Sequence, residues 1–306
     1  MTGTTVAIDL GGTNVRAAIV ADDGIILRRA QRPTPATEPT PELLVRLAAE
    51  VVGDGGLDRA VVGVPGVVDH DAEALLKAPN LPPRWIPSLT GDWLAERMGV
   101  PVSLANDADL AAVGESAFGA GRVHRDVVYV TISTGVGAGI VVDGSLVRGQ
   151  HSGGEIGHTI IDRLAARAGS PSTVEELGAG PAIARAATKA GLRQRDGEFA
   201  DLVRSGHPQA VTIWNNAIEA VGIGVVNMAW LLAPQIVVVG GGVGLNHDLI
   251  EPIFSRLLVE HGPALDQPIE IAPAALGDDA GLAGAAAWFE AVGRPVSPAV
   301  PTLEVQ

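Results

Sequence analysis

Ala7-Ile8-Asp9-Leu10-Gly11-Gly12-Thr13-Asn14-Val15-Arg16 lies near the start of the chain. Thr5 to Leu10 is an apolar run with a single acid, the pattern of a buried strand. Gly11 and Gly12 then turn the chain. The residues after the turn are not helical in pattern. Val15 to Val20 is short, apolar and β-compatible, and Asp22-Asp23-Gly24 supplies a second turn signal. The dinucleotide fingerprint and the P-loop both require a helix after their glycines, so both are excluded. A strand, a glycine turn and a second strand suit an anion such as phosphate. Glycine lets the backbone approach closely, and successive N–H groups in a tight turn form an anion nest. Thr13 and Asn14 add side-chain donors. Asp9, just ahead of the turn, is placed to hold Mg²⁺ through water, because that ion keeps much of its hydration shell.

A second unit repeats the theme. Val127 to Ile132 reads as a strand and Ser133-Thr134-Gly135-Val136-Gly137 as a glycine-rich turn. Ala138 to Val142 is a second strand, Asp143-Gly144 a hairpin turn, and Ser145 to Arg148 a third strand. The first unit likewise continues into a third strand, from Ile25 to Arg32. Two such units imply a duplicated α/β domain, with phosphates held between facing halves. The chain has 306 residues, near the size at which single cores divide. The expected division is a small N-terminal α/β domain, residues 1–105, and a larger one, residues 106–280. Asp278 to Val292 is rich in Ala and Gly and reads as a tightly packed helix. A C-terminal helix within about 281–306 is expected to complete the smaller domain.

Composition narrows the class. Hydrophobic residues make up 47% of the chain and aromatic residues only 3%, so the core must be built from Ala, Val, Leu and Ile. There is no cysteine, which excludes disulfides and thiolate metal sites. The apolar N-terminus contains Asp9 and lacks a basic leader, and no apolar run reaches the length of a membrane span. A cytoplasmic protein without membrane contact is expected. The net charge of −14 argues against nucleic acid as a partner, since neutralising phosphates needs a basic face.

Asp9 to Arg16 resembles the first phosphate motif of the ROK family, bacterial sugar kinases and repressors within the actin-like ATPase superfamily. Later motifs extend the resemblance from about residue 5 to about residue 290. It implies the duplicated actin-like (ribonuclease H-like) α/β fold around a cleft, with ATP and Mg²⁺ as cofactors. Gly11, Gly12, Thr13, Asn14 and Arg16 fall in the first phosphate motif, and Thr134 and Gly135 resemble the second. Gln235 to Val239 reads as a core strand, and Gly240-Gly241-Gly242-Val243-Gly244 after it matches the adenosine motif. Gly241 and Gly242 would lie against the base. The first motif begins near residue 5, so no N-terminal helix-turn-helix is expected before it, unlike in the repressor branch.

The sugar side carries the same resemblance. Gly63-Val64-Pro65-Gly66-Val67-Val68-Asp69 resembles the family's Gly-x-Pro-Gly-x-x-Asp segment beside the sugar, which places Gly66 there. Ala78-Pro79-Asn80-Leu81-Pro82 is similar to its Pro-Asn-Leu loop, where Asn80 would hydrogen-bond a hydroxyl. Val100 to Ala105 reads as a strand ending at Asn106-Asp107, and Ala108 to Ala117 as a helix. Ligands of α/β sheets sit at the carboxyl ends of strands. Phosphoryl transfer to a hydroxyl needs a base to accept its proton, and Asp107 is the candidate. An Asp or Asn here also suits a helix cap. The match of Asn106-Asp107 through Gly114-Glu115 to the ROK catalytic segment favours the base and puts Asn106 beside the sugar. His151-Ser152-Gly153-Gly154-Glu155-Ile156-Gly157-His158 resembles the Gly-Glu-x-Gly-His segment, which implies sugar contacts from Glu155 and His158. A carboxylate suits hydroxyls because it accepts several strong hydrogen bonds. Ser172 to Pro181 matches a further family segment in part and puts Glu175 on the sugar, although Ser172 and Glu175 also have the spacing of a capping box.

One departure matters. Zinc-binding members carry several cysteines shortly after the histidine, and Thr159 to Thr173 contains none. One histidine cannot form a structural zinc site, so no zinc is expected. The resulting expectation is an ATP-dependent hexose kinase acting at the 6-hydroxyl, with glucose the default substrate. The missing cysteine loop keeps an amino or N-acetylamino hexose (kanosamine, N-acetylglucosamine or N-acetylmannosamine type) as the alternative. A sugar-sensing pseudokinase and an actin-like ATPase are the rivals of other classes. The presence of Asp9, Gly12, Thr13 and Asp107 opposes the first, and the sugar-facing set opposes the second. A polyphosphate donor stays open. The resemblance also implies a homo-oligomer, most often a dimer.

Overall fold

The computed structural model describes residues 4–34, 40–78, 81–192 and 198–293. Strands β1 (Thr5–Leu10), β2 (Asn14–Val20) and β3 (Ile26–Pro33) form an antiparallel meander. Helix α1 (Thr40–Val52) crosses to β4 (Arg59–Val64), which runs parallel to β1. A small hairpin comes next, β5 (Val67–Asp69) with β6 (Ala74–Lys77). Helix α2 (Gly91–Met98), whose N-terminus is capped by the Thr90 hydroxyl, returns to β7 (Val102–Asn106), parallel to β4. The first sheet thus has the order β3-β2-β1-β4-β7.

Helix α3 (Asp107–Ala117) leads out of that sheet into a second meander, β8 (Val127–Ile132), β9 (Val136–Val142) and β10 (Ser145–Leu146). Helices α4 (Arg163–Arg167), α5 (Val174–Gly178), α6 (Gly180–Lys189), α7 (Glu198–Arg204) and α8 (Pro208–Leu232) come after it. Strand β11 (Ile236–Gly240) joins parallel to β8, and a single turn, α9 (Gly241–Gly244), ends it. Helix α10 (His247–His261) leads to β12 (Glu270–Pro273), parallel to β11, and α11 (Ala280–Val292) closes the described chain. The second sheet has the order β10-β9-β8-β11-β12. Order and direction repeat those of the first, as the paired glycine turns predict.

Three apolar cores stack through the molecule. One lies under α1 and α2 and includes Leu44, Leu47, Leu94 and Trp85. One lies under α5, α6, α8 and α10 and includes Trp214, Val221, Ile250 and Phe254. The third joins the halves: Ala7 and Val61 of the first sheet and Val127 and Val238 of the second pack on α3 and α11. Here the two helices cross at backbone contact. A Cβ on Gly284 would stand 2.0 Å from the Leu110 carbonyl oxygen, and one on Gly114 would stand 2.2 Å from that of Ala280. The small residues of α11 are therefore what lets the cores meet. The helix starts at Ala280 rather than Asp278, because Gly277–Asp279 is a separate 3₁₀ turn. No helix among the described residues is long and apolar enough to cross a membrane.

Candidate active site

The carboxyl ends of β1, β4, β7, β8 and β11 converge on one cleft, which has two compartments. The larger is a cavity of about 610 Å³. Among its lining residues are Gly11 and Gly12 after β1, Gly66 after β4, Asn106 and Asp107 after β7, and Thr134 and Gly135 after β8. Glu155, His158 and Glu175 line it from the opposite half. The smaller compartment, about 170 Å³, is lined by Asp9, Arg16, Gly241 and Asp278 among others. Asp107, Ala108 and Thr131 line both. Asp107 therefore stands at the junction.

The start of α3 explains how Asp107 is held. Asn106, not Asp107, caps the helix: its Oδ1 accepts the N–H of Ala108 at 2.8 Å and of Asp109 at 3.2 Å. Its Nδ2 donates to the Gly66 carbonyl at 3.0 Å. Asn106 is thus committed to tying the Gly66 turn to the helix, with one N–H left for a ligand. Asp107 takes a hydrogen bond from the Ala108 N–H at 2.9 Å and otherwise opens into the cleft. Desolvation at the cleft, and next the Asp9 charge, push its carboxyl up to about 6; Glu155 adds to the shift and the Ala108 N–H opposes it.

The Gly66 turn has little freedom. Its φ is +115°, and a Cβ there would stand 2.1 Å from the Lys77 carbonyl oxygen. Only glycine lets this backbone reach the cavity wall. The β1–β2 turn is pinned by Thr34, whose hydroxyl donates to the Gly11 carbonyl at 2.7 Å and whose N–H donates to that of Thr13 at 2.7 Å. Thr13 and Asn14 are exposed on the turn and line neither compartment. Arg16 donates to Asp9 through Nε at 3.1 Å and through Nη2, so the two form an ion pair across β1 and β2. Gly242 lies outside the lining, and Asn80 lies outside the described residues.

Two expectations are corrected in detail. The capping box of α5 is Thr173 with Glu176, one residue later than the Ser172–Glu175 spacing suggests. Glu175 is thereby freed from capping; its Oε2 accepts the Val136 N–H at 2.9 Å beside the Thr134-Gly135 turn. Strand β9 begins at Val136 rather than Ala138, since Val136 pairs with Ile132 across the turn. His158 is exposed, with Nε2 3.8 Å from Glu155 Oε2.

Sequence reasoning missed Thr131 and the Gly277-Asp278 turn. Thr131 is the penultimate residue of β8, as Asp9 is of β1, so the repeat itself could have pointed to it. Gly277-Asp278 comes after the last strand, where an acid beside glycine again marks a carboxyl end. Glu115 holds that segment. It is fully buried and accepts the N–H of Leu276 at 2.8 Å, Ala120 at 2.8 Å and Ala275 at 3.1 Å.

Two sheets of one topology around a glycine-lined cleft define a protein of the actin-like ATPase fold. The chain belongs to the ROK family, whose model matches residues 5–292. It is 32% identical to a glucokinase of Streptomyces coelicolor, over 93% of this chain and 96% of that protein. It is 34% identical to an N-acetylmannosamine kinase of Citrobacter koseri, over 92% of this chain and 97% of that one. Among solved structures it resembles a ROK family glucokinase of Streptomyces griseus in complex with glucose and AMPPNP. There the TM-score is 0.78 at 30% identity, covering 94% of this chain and 99% of the other.

Proposed function

We propose that the chain transfers a phosphoryl group from ATP to the 6-hydroxyl of a hexose, with Asp107 as general base. The observation that carries this is the position of Asp107 between the two compartments. The larger fits a sugar among Gly66, Asn106, Glu155, His158 and Glu175, joined by Asn80 by resemblance. The smaller, with Asp9, Arg16 and Gly241, fits the polyphosphate side of ATP. A carboxyl near 6 is ionised at neutral pH yet basic enough to accept a hydroxyl proton as the oxygen attacks. Gly12 and the Thr134-Gly135 turn would offer backbone N–H groups to the transferred group, while the Gly11 N–H closes the first turn on the Asn14 carbonyl at 2.9 Å; Thr13, Asn14 and Gly242 are assigned by motif. Asp9 opens on the smaller compartment and would hold Mg²⁺ through water, supplying positive charge at the phosphates. Closure of residues 106–280 over residues 1–105 and α11 would exclude water. By the same resemblance the protein is read as a homodimer without zinc.

The test is ADP release with Mg-ATP across glucose, mannose, fructose, glucosamine, 3-amino-3-deoxyglucose, N-acetylglucosamine and N-acetylmannosamine, with a no-sugar control. One sugar far above the rest supports the kinase and names its substrate. ATP binding without turnover on any sugar points to a sensor, and sugar-independent turnover to an ATPase. The identity to an N-acetylmannosamine kinase favours an amino or N-acetylamino hexose as the second reading. A polyphosphate in place of ATP belongs in the same assay.

A further inference from the structure

Behind the cavity lies a polar cluster that this chemistry leaves unused. His70 comes directly after β5, which carries the chain away from Pro65 and Gly66 in the cavity wall. Asp109 stands in the first turn of α3, two residues past Asp107. Ser152 precedes Gly154 and Glu155, also in the wall. Three separate wall segments each send one polar side chain to the same place.

All three are buried: Asp109 is 0% exposed, Ser152 5% and His70 8%. His70 Nε2, the Ser152 hydroxyl oxygen and both carboxylate oxygens of Asp109 lack a hydrogen-bond partner of good geometry. His70 Nε2 stands 3.9 Å from Asp109 Oδ2. Buried polar atoms are nearly always paired, and an unpaired buried carboxylate is costly. Arg148, whose charge reaches both groups, is itself bonded to the Val292 carbonyl. A single proton resolves the set. An Asp109 O–H can donate to His70 Nε2, while the other oxygen accepts from the Ser152 hydroxyl. A shift of about 1 Å brings the His70–Asp109 pair to hydrogen-bond distance.

We propose that Asp109, carrying one proton, clamps His70 and Ser152 and so holds three walls of the sugar compartment in register with Asp107. The three are positioning residues, since none lines the cavity. The consequence for sugar binding rests on the kinase reading above. The surrounding charges agree with the proton's place. Burial, and then Asp107 and Glu155, push the Asp109 carboxyl up to about 7, against Ser152 and Arg148. Burial lowers His70, as do Arg148 and His151, while Asp69 and Asp71 oppose. The Trp288 ring of α11 packs on the imidazole with centroids 6.4 Å apart. The proton therefore resides on the acid.

The test compares wild type, Asp109→Asn, Asp109→Ala and His70→Ala between about pH 6 and pH 9, using the best sugar of the panel. Asn mimics the protonated acid, so Asp109→Asn should keep the sugar KM within about threefold. Asp109→Ala should raise it about tenfold or more while the KM for Mg-ATP stays within about twofold. The wild-type sugar KM should rise above about pH 7, and that rise should vanish in Asp109→Asn. Equal losses in the Asn and Ala variants, or losses shared equally by ATP and sugar, overturn the clamp. Thermal unfolding gives a readout free of turnover. The wild-type midpoint should drop relative to Asp109→Asn as pH rises towards about 7, and parallel curves overturn the clamp. Failure of the kinase reading shows separately, as wild type inactive on every sugar.

Discussion

As the proposed base, Asp107 accepts a proton only when ionised. With its carboxyl pushed up to about 6, kcat/KM should fall about tenfold per pH unit below about 6 and level off between about 6 and about 7, where the Asp109 titration sets in. A rate that stays flat down to about pH 5 would remove Asp107 from proton transfer. Asp107→Ala should lower kcat by about 10²–10⁴ without lowering the thermal midpoint, because it removes a carboxylate repelled by Asp9 and Glu155. The neighbouring residue behaves differently. Asn106→Ala loses both the cap and the link to Gly66, so it should cost about 1 kcal/mol in stability, read by denaturant titration. It should also raise the sugar KM. The sequence shows an acid at a strand end, but not which of Asn106 and Asp107 caps the helix. Backbone geometry at the junction decides that, since Asn106 is extended and Asp107 is already helical.

At the scale of elements, the crossing of α3 and α11 carries the joint between the two halves. Gly284→Ala would push a Cβ against the Leu110 carbonyl and should cost about 1–3 kcal/mol, seen as a lower thermal midpoint. An unchanged midpoint would mean the helices separate freely there. Glu115→Gln replaces one accepting oxygen with an amide that faces N–H groups. It should cost about 1–3 kcal/mol and loosen the segment leading to Asp278. Both sheets, most helices and the Ala- and Gly-rich helix are legible in the chain, because strand and helix periods and glycine turns are local signals. The β5–β6 hairpin and α4 are not, since short elements carry too few residues for a period.

For the whole molecule, the cleft gathers Asp9, Asp107 and Asp278 around one compartment in a chain of net charge −14. An anionic nucleotide then needs a cation to enter. Chelation of divalent metal should abolish phosphorylation, and Mg²⁺ alone should restore it with an unchanged thermal midpoint. A requirement for added zinc would contradict the reading. The homodimer proposed from the family resemblance is checked by mass in solution. Light scattering should give twice 31.2 kDa for a dimer.

The sequence by itself determined the duplicated α/β plan and the two glycine turns, because each is a short pattern of residues close in the chain, and its resemblance to the family made Asp107 the candidate base. Tertiary structure alone decided which residues meet in the cleft. The Glu115 grip on the segment before Asp278, and the meeting of His70, Asp109 and Ser152, join residues far apart in sequence. No local period records such contacts, since they arise only when α3 and α11 bring the two sheets onto a common core.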